Sequence, residues 1–150
     1  MTTPLRKIRA LFADDRRPHH FTDHRHCEEC AGHDAALRRY DRANLPAVEV
    51  LNPGWDPICF VTPEGFRYFF PRLCELAYGK GEAFYLEQFL RHLENNLQVL
   101  SRAEKAAVFE LLLDLVETLP EDIALNRTMP DIDRVSEKLL SRAGAERAAP

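Results

Sequence analysis

The sequence predicts a mainly α single domain carrying one β-hairpin, an α+β fold with a Cys/His-rich N-terminal segment. Three observations support this. Beyond Pro71 the chain repeats apolar residues at helical spacing. Residues 58–61 and 66–70 are two β-branched or aromatic runs around a Thr-Pro-Glu-Gly turn. Residues 19–34 hold five of the six histidines and two of the four cysteines.

Taken in order, residues 5–12 space Leu5, Ile8, Leu11 and Phe12 for a short amphipathic helix, with Pro4 in its first turn. Residues 14–18 end it. After the Cys/His segment, Asp34 suits the cap of a helix running to about Asn44, with Ala36, Leu37 and Tyr40 inward. NPGWDP, residues 52–57, has two prolines and a glycine and reads as a fixed loop. The predicted hairpin follows; because a lone hairpin is marginal in water, it must lie against helices.

Pro71 opens a predicted short helix to Tyr78, closed by Gly79 and Gly81. Residues 84–100 place Tyr85, Phe89, Leu93, Leu97 and Leu100 near one stripe. Ser101-Arg102-Ala103-Glu104 is a capping box, and the helix it opens, to about Leu119, carries enough apolar residues to be the core helix. Pro120 stops it, residues 133–142 form a terminal helix, and the chain beyond Gly144 frays. At 150 residues the chain buries one core without staples. It divides into 1–18 (helix and loop), 19–45 (Cys/His segment and helix), 46–71 (loop and hairpin), 72–143 (helical part) and 144–150 (tail).

A net charge of -4, with both signs interspersed, argues against nucleic acid as a partner. Arg38, Arg39 and Arg42 stand among Asp34 and Asp41 and read as a solvated helix face. No apolar run reaches the roughly 18 to 20 residues that span a bilayer, and the N-terminus is too interrupted for a signal peptide. The expected address is cytoplasmic. Reduced cysteines there point to metal binding or redox chemistry rather than a disulfide.

Cys27, Cys30 and His33 recur at three-residue intervals, and thiolate sulfur and imidazole nitrogen are the donors Zn²⁺ favours. The fourth ligand is open among His26, His24, His20, His19, Cys59 and Cys74. Glu28 and Glu29 lie between the thiols, and their charge disfavours the thiolate that redox chemistry needs. Haem attachment, zinc-ribbon, deaminase and HExxH patterns all fail on spacing. Cys59 and Cys74 read as buried free thiols and His92 as a satisfied structural histidine. Trp55 reads as a lid over the core, with an exposed binding anchor as its alternative.

Three segments resemble a family of uncharacterised bacterial proteins: HCEECxxHD (residues 26–34), NPGWDPICF (52–60) and PEGFxYxxP (63–71). The resemblance spans most of residues 20–120 and brings no activity with it. It implies that the cluster and the loop-hairpin belong to one architecture, and it favours His26 as the fourth ligand.

The expectation is therefore a small zinc-binding protein with His26, Cys27, Cys30 and His33 as ligands. The metal is structural, and the protein works through a protein partner rather than as an enzyme. One alternative is a metal-dependent hydrolase with an open zinc position and Glu28, Glu29 or Asp34 as base. Another is a metal-free immunity or regulatory protein whose acidic face (Glu110, Asp114, Glu117) meets a basic partner.

Overall fold

The computed structural model describes residues 1–141, and the predicted frayed tail after Gly144 lies outside them. Among the described residues seven α-helices follow one another: α1 (Thr3–Leu11), α2 (Glu28–Leu37), α3 (Pro63–Leu76), α4 (Leu86–Asn95), α5 (Arg102–Thr118), α6 (Pro120–Leu125) and α7 (Met129–Leu140). Short 3-10 turns punctuate the connections, among them Pro53–Trp55 and Pro57–Phe60.

The predicted β-hairpin is absent, which corrects the fold class from α+β to all-helical: no strand forms among the described residues. Only an isolated antiparallel bridge joins Thr22 to Val61. The Thr-Pro-Glu-Gly stretch taken for a turn is a helix start. Thr62 caps α3, its hydroxyl accepting the Gly65 amide at 3.2 Å, with Pro63 in the first turn. The aromatic run is helical because Phe66, Phe69, Phe70 and Leu73 recur at helical spacing on a fully buried face. Burial of that face overrides the strand preference of single aromatic residues. The first run, at residues 58–61, curls into the Pro57–Phe60 turn, with Asp56 Oδ1 accepting the Ile58 amide at 3.0 Å.

Other boundaries move for similar local reasons. Pro71 opens no helix but sits inside α3, which absorbs the short helix expected there. The stripe expected over residues 84–100 breaks at Asn96, leaving α4 and a Leu97–Val99 turn. The terminal helix begins earlier, at Met129, and ends at Leu140. The capping box is present: Ser101 accepts the Glu104 amide at 3.2 Å and Glu104 accepts the Ser101 amide at 2.8 Å.

As expected, α5 is the core helix. It packs against α1 and α7, while α4 lies on α7 and α3. Phe70 centres an aromatic cluster with Phe12, Phe66 and Phe89, with ring centroids 5.0, 5.1 and 6.0 Å away. Arg67, half-buried beside it, joins three elements. It pairs with Asp15 and Glu104 and donates to the Val99 carbonyl. Arg42 departs from the solvated face assigned to it, since α2 ends at Leu37 and Arg42 binds the carbonyls of Phe12 and Tyr68.

The N-terminal segment docks onto the start of α3. The Thr62 amide donates to the Phe21 carbonyl at 2.8 Å, and a Cβ on Gly65 would stand 2.8 Å from that same oxygen. Glycine at position 65 is what admits the segment so close.

Candidate metal centre

The segment carrying the cysteines is shaped by α2. Cys27, not Asp34, caps this helix: Cys27 has extended backbone and its sulfur accepts the Cys30 amide at 3.3 Å. Asp34 lies inside the helix and performs a different task. Its Oδ1 accepts the Phe21 and Thr22 amides at 2.6 and 3.2 Å, folding residues 20–22 back over the helix. The Thr22 hydroxyl adds a bond to the Cys30 carbonyl at 2.7 Å. These bonds close a loop that carries the histidines toward α2.

Three of the four expected ligands meet there. His26, Cys27 and Cys30 each present a donor atom, and all three atoms lie within 4.8 Å of one another. His26 and Cys27 are exposed and Cys30 is buried. The thiols differ accordingly. The Cys30 amide, then the Cys30 thiol and His26, draw the Cys27 thiol down to about 7. The Cys30 thiol is pushed up by Cys27 first and then by burial. The capping amide thus favours the thiolate even with Glu28 and Glu29 adjacent, contrary to the expectation from their charge alone. The His26 imidazole is raised, chiefly by the Cys27 sulfur beside it.

His33, the fourth expected ligand, is not in this group. It is fully buried between Trp55 and Phe60, whose ring centroids lie 4.3 and 4.4 Å from its own. Neither ring nitrogen has a hydrogen-bond partner, and the nearest carboxylate, Glu29 Oε1, stands 3.8 Å from Nε2. Trp55 remains half-exposed, so it lids His33 rather than the central core.

Two further groups of donors converge elsewhere. His20, His24 and Asp34 form one; Asp34 lies on α2 a turn beyond Cys30, and the two histidines come from the loop before the helix. Asp56, Cys59 and His92 form the other. His92 is the satisfied histidine expected, its Nε2 lying 2.6 Å from Asp56 Oδ2, which also accepts from Gln88 at 3.1 Å. Cys59 departs from the buried thiol expected by being exposed, whereas Cys74 is fully buried and its thiol is pushed up by burial. His19 joins none of these groups. Asp34, Asp56 and His92 were missed as donors because their partners stand far away in sequence; only the HCEECxxHD motif hinted at Asp34.

The molecule therefore has His, Cys and Asp side chains positioned to hold a metal ion. No described helix is long and apolar enough to cross a membrane. No protein-family model matches this chain, no curated protein is significantly similar to it, and no solved structure matches it.

Proposed function

We propose that this is a small cytoplasmic zinc-binding protein, with His26, Cys27 and Cys30 as protein ligands, that acts through a protein partner. The observation carrying this is the convergence of two sulfurs and one imidazole at the start of α2, with the first thiol already biased toward the thiolate. Two sulfurs and a nitrogen are a donor set for Zn²⁺. Bound there, the ion would lock the cap of α2 to the preceding turn, so that binding energy becomes folding energy for residues 19–34. The resemblance to the HCEECxxHD family belongs to the same proposal. Supporting it, α2 packs on the Pro57–Phe60 turn, so the first two shared segments adjoin, and the third follows directly in the chain as the start of α3.

The hydrolase alternative draws on one feature. Three donors rather than four converge, and two of them face solvent, which leaves a position open. Against it, neither the hollow lined by Arg9, Arg42, Pro71, Arg72 and Glu75 nor the one lined by Gly32, Ala35, Ala36 and Arg39 includes a donor of the centre. The metal-free alternative has less to work with. Glu110 is paired with Lys7 at 2.7 Å and Asp114 accepts from the Tyr78 hydroxyl, so much of that acidic face is engaged internally.

Elemental mass spectrometry on untagged protein purified without added metal tests the proposal. About one zinc per chain is expected, lost in Cys27→Ser and Cys30→Ser together with a lower melting temperature. Unchanged metal content and stability in both variants would overturn it.

A further inference from the structure

We infer that His20, His24 and Asp34 form a second divalent-cation site, separate from the thiolate centre. Two imidazole nitrogens and a carboxylate oxygen suit a borderline transition ion and leave coordination positions open to other ligands. The site stands independently of the zinc proposal.

The carboxylate is built into the fold. Asp34 is 3% exposed, and its Oδ1 is held by the Phe21 and Thr22 amides, which turns Oδ2 toward the histidines. Oδ2 meets His20 Nδ1 at 2.7 Å. His24 lies flat on His20, with ring centroids 3.6 Å apart and planes 12° from parallel. Closing the loop over α2 requires Asp34 and the two amides. It gives no role to His24, whose ring is nevertheless held against the other two donors.

The three donors can reach a single ion once the His24 ring reorients. The three donors span no more than 4.8 Å, and donors about 2.1 Å from one ion stand at most about 4.2 Å apart. Because each nitrogen lone pair lies in its ring plane, the partly exposed His24 ring must also tilt out of its stack on His20 to point at the same ion. An ion bound to His20 Nδ1 and Asp34 Oδ2 takes the place of the hydrogen between them, and the imidazole then carries its N–H on Nε2.

The two sites share α2 but not their chemistry. Cys30 and Asp34 are one helical turn apart, with Cβ atoms about 5 to 6 Å from each other. One centre offers sulfur and the other only nitrogen and oxygen. Co²⁺ reports the difference, because thiolate ligands give an intense near-ultraviolet charge-transfer band and imidazole and carboxylate do not.

Anaerobic Co²⁺ titration of the full chain, followed by gel filtration and metal analysis, makes the test. Circular dichroism confirms that each variant is folded. A second equivalent of cobalt is expected, retained in Cys27→Ser and without the thiolate band. In His24→Ala and in His20→Ala it should bind about tenfold more weakly or worse, with the thiolate band intact. If wild type lacks the thiolate band but holds cobalt in a His24-dependent way, the zinc proposal falls and this one stands. A single equivalent abolished by both Cys27→Ser and His24→Ala indicates one mixed centre and overturns it. So does cobalt binding indifferent to both histidines, or binding that does not survive gel filtration.

Discussion

In the helical body, Arg67 has carboxylates on two sides, a carbonyl on a third and the Phe12 ring 4.8 Å from its guanidinium carbon. In the Cys/His segment, the His33 imidazole is more deeply buried and neither ring nitrogen has a hydrogen-bond partner. Three donors gather nearby, two of them exposed and Cys30 buried, with few bonds among themselves. The body pairs its buried Arg67 hub from within the chain, although Tyr85 Oη and Thr128 Oγ1 are buried there without a partner. The segment keeps its donors in reserve, and in a protein of ordinary size such clustering has a use beyond packing. Metal binding should therefore change the segment and leave the body alone.

The largest effect should come from breaking the body. Phe70 is fully buried at the centre of the aromatic cluster, and Phe70→Ala should cost about 3 to 5 kcal/mol. Urea denaturation measures this, and zinc should not restore the loss. A loss fully recovered by zinc would mean that the two regions are one cooperative unit.

Arg67→Ala comes next. It strands Asp15 and Glu104, the latter 6% exposed, and should cost about 3 kcal/mol. Thermal melting reads it out. A cost under about 0.5 kcal/mol, the size of an ordinary surface change, would show that the hub is not what joins α3 to α5.

A smaller, pH-dependent effect follows from Glu104. Burial raises its carboxyl, but Arg67 and the Ser101 amide outweigh burial and hold it below the ordinary value of 4.5. A carboxyl depressed in the folded state adds stability that is fully present above its unfolded value. That stability fades as pH falls through the folded one. Glu104→Gln should therefore lower stability at neutral pH and flatten its decline below about 4.5. Parallel wild-type and variant curves of stability against pH would contradict this.

The smallest effect sharpens the comparison most. His33→Phe removes an unpartnered buried imidazole and keeps the aromatic stack, so it should be neutral or stabilising by about 1 kcal/mol. Its metal content should match wild type. Loss of zinc in this variant would return His33 to the ligand set and require α2 to shift on binding.

Much of the helical body is legible in the sequence. The Ser101–Glu104 capping box and the stripe through Leu111 and Leu115 place α5 with no knowledge of neighbours, because capping and periodicity are local. The run at residues 66–70 is not legible in the same way. Its aromatic residues suit a strand by propensity and a helix by spacing, and contact with Phe12, Phe21 and Phe89 decides for the helix.

The candidate site divides along the same line. Local spacing is enough to mark Cys27 and Cys30, but it marks His33 with them, and His26 is favoured only through the resemblance to the HCEECxxHD family. Separating His33 from them, pairing Asp34 with His20 and His24, and joining Asp56 to His92 depend on chain segments far apart in sequence. By itself, then, the sequence determined the chemistry available, thiols and imidazoles in one short stretch, and the helices whose signals are local. Only the tertiary structure decided which donors meet. Burial and loop closure act on distances that no spacing along the chain encodes.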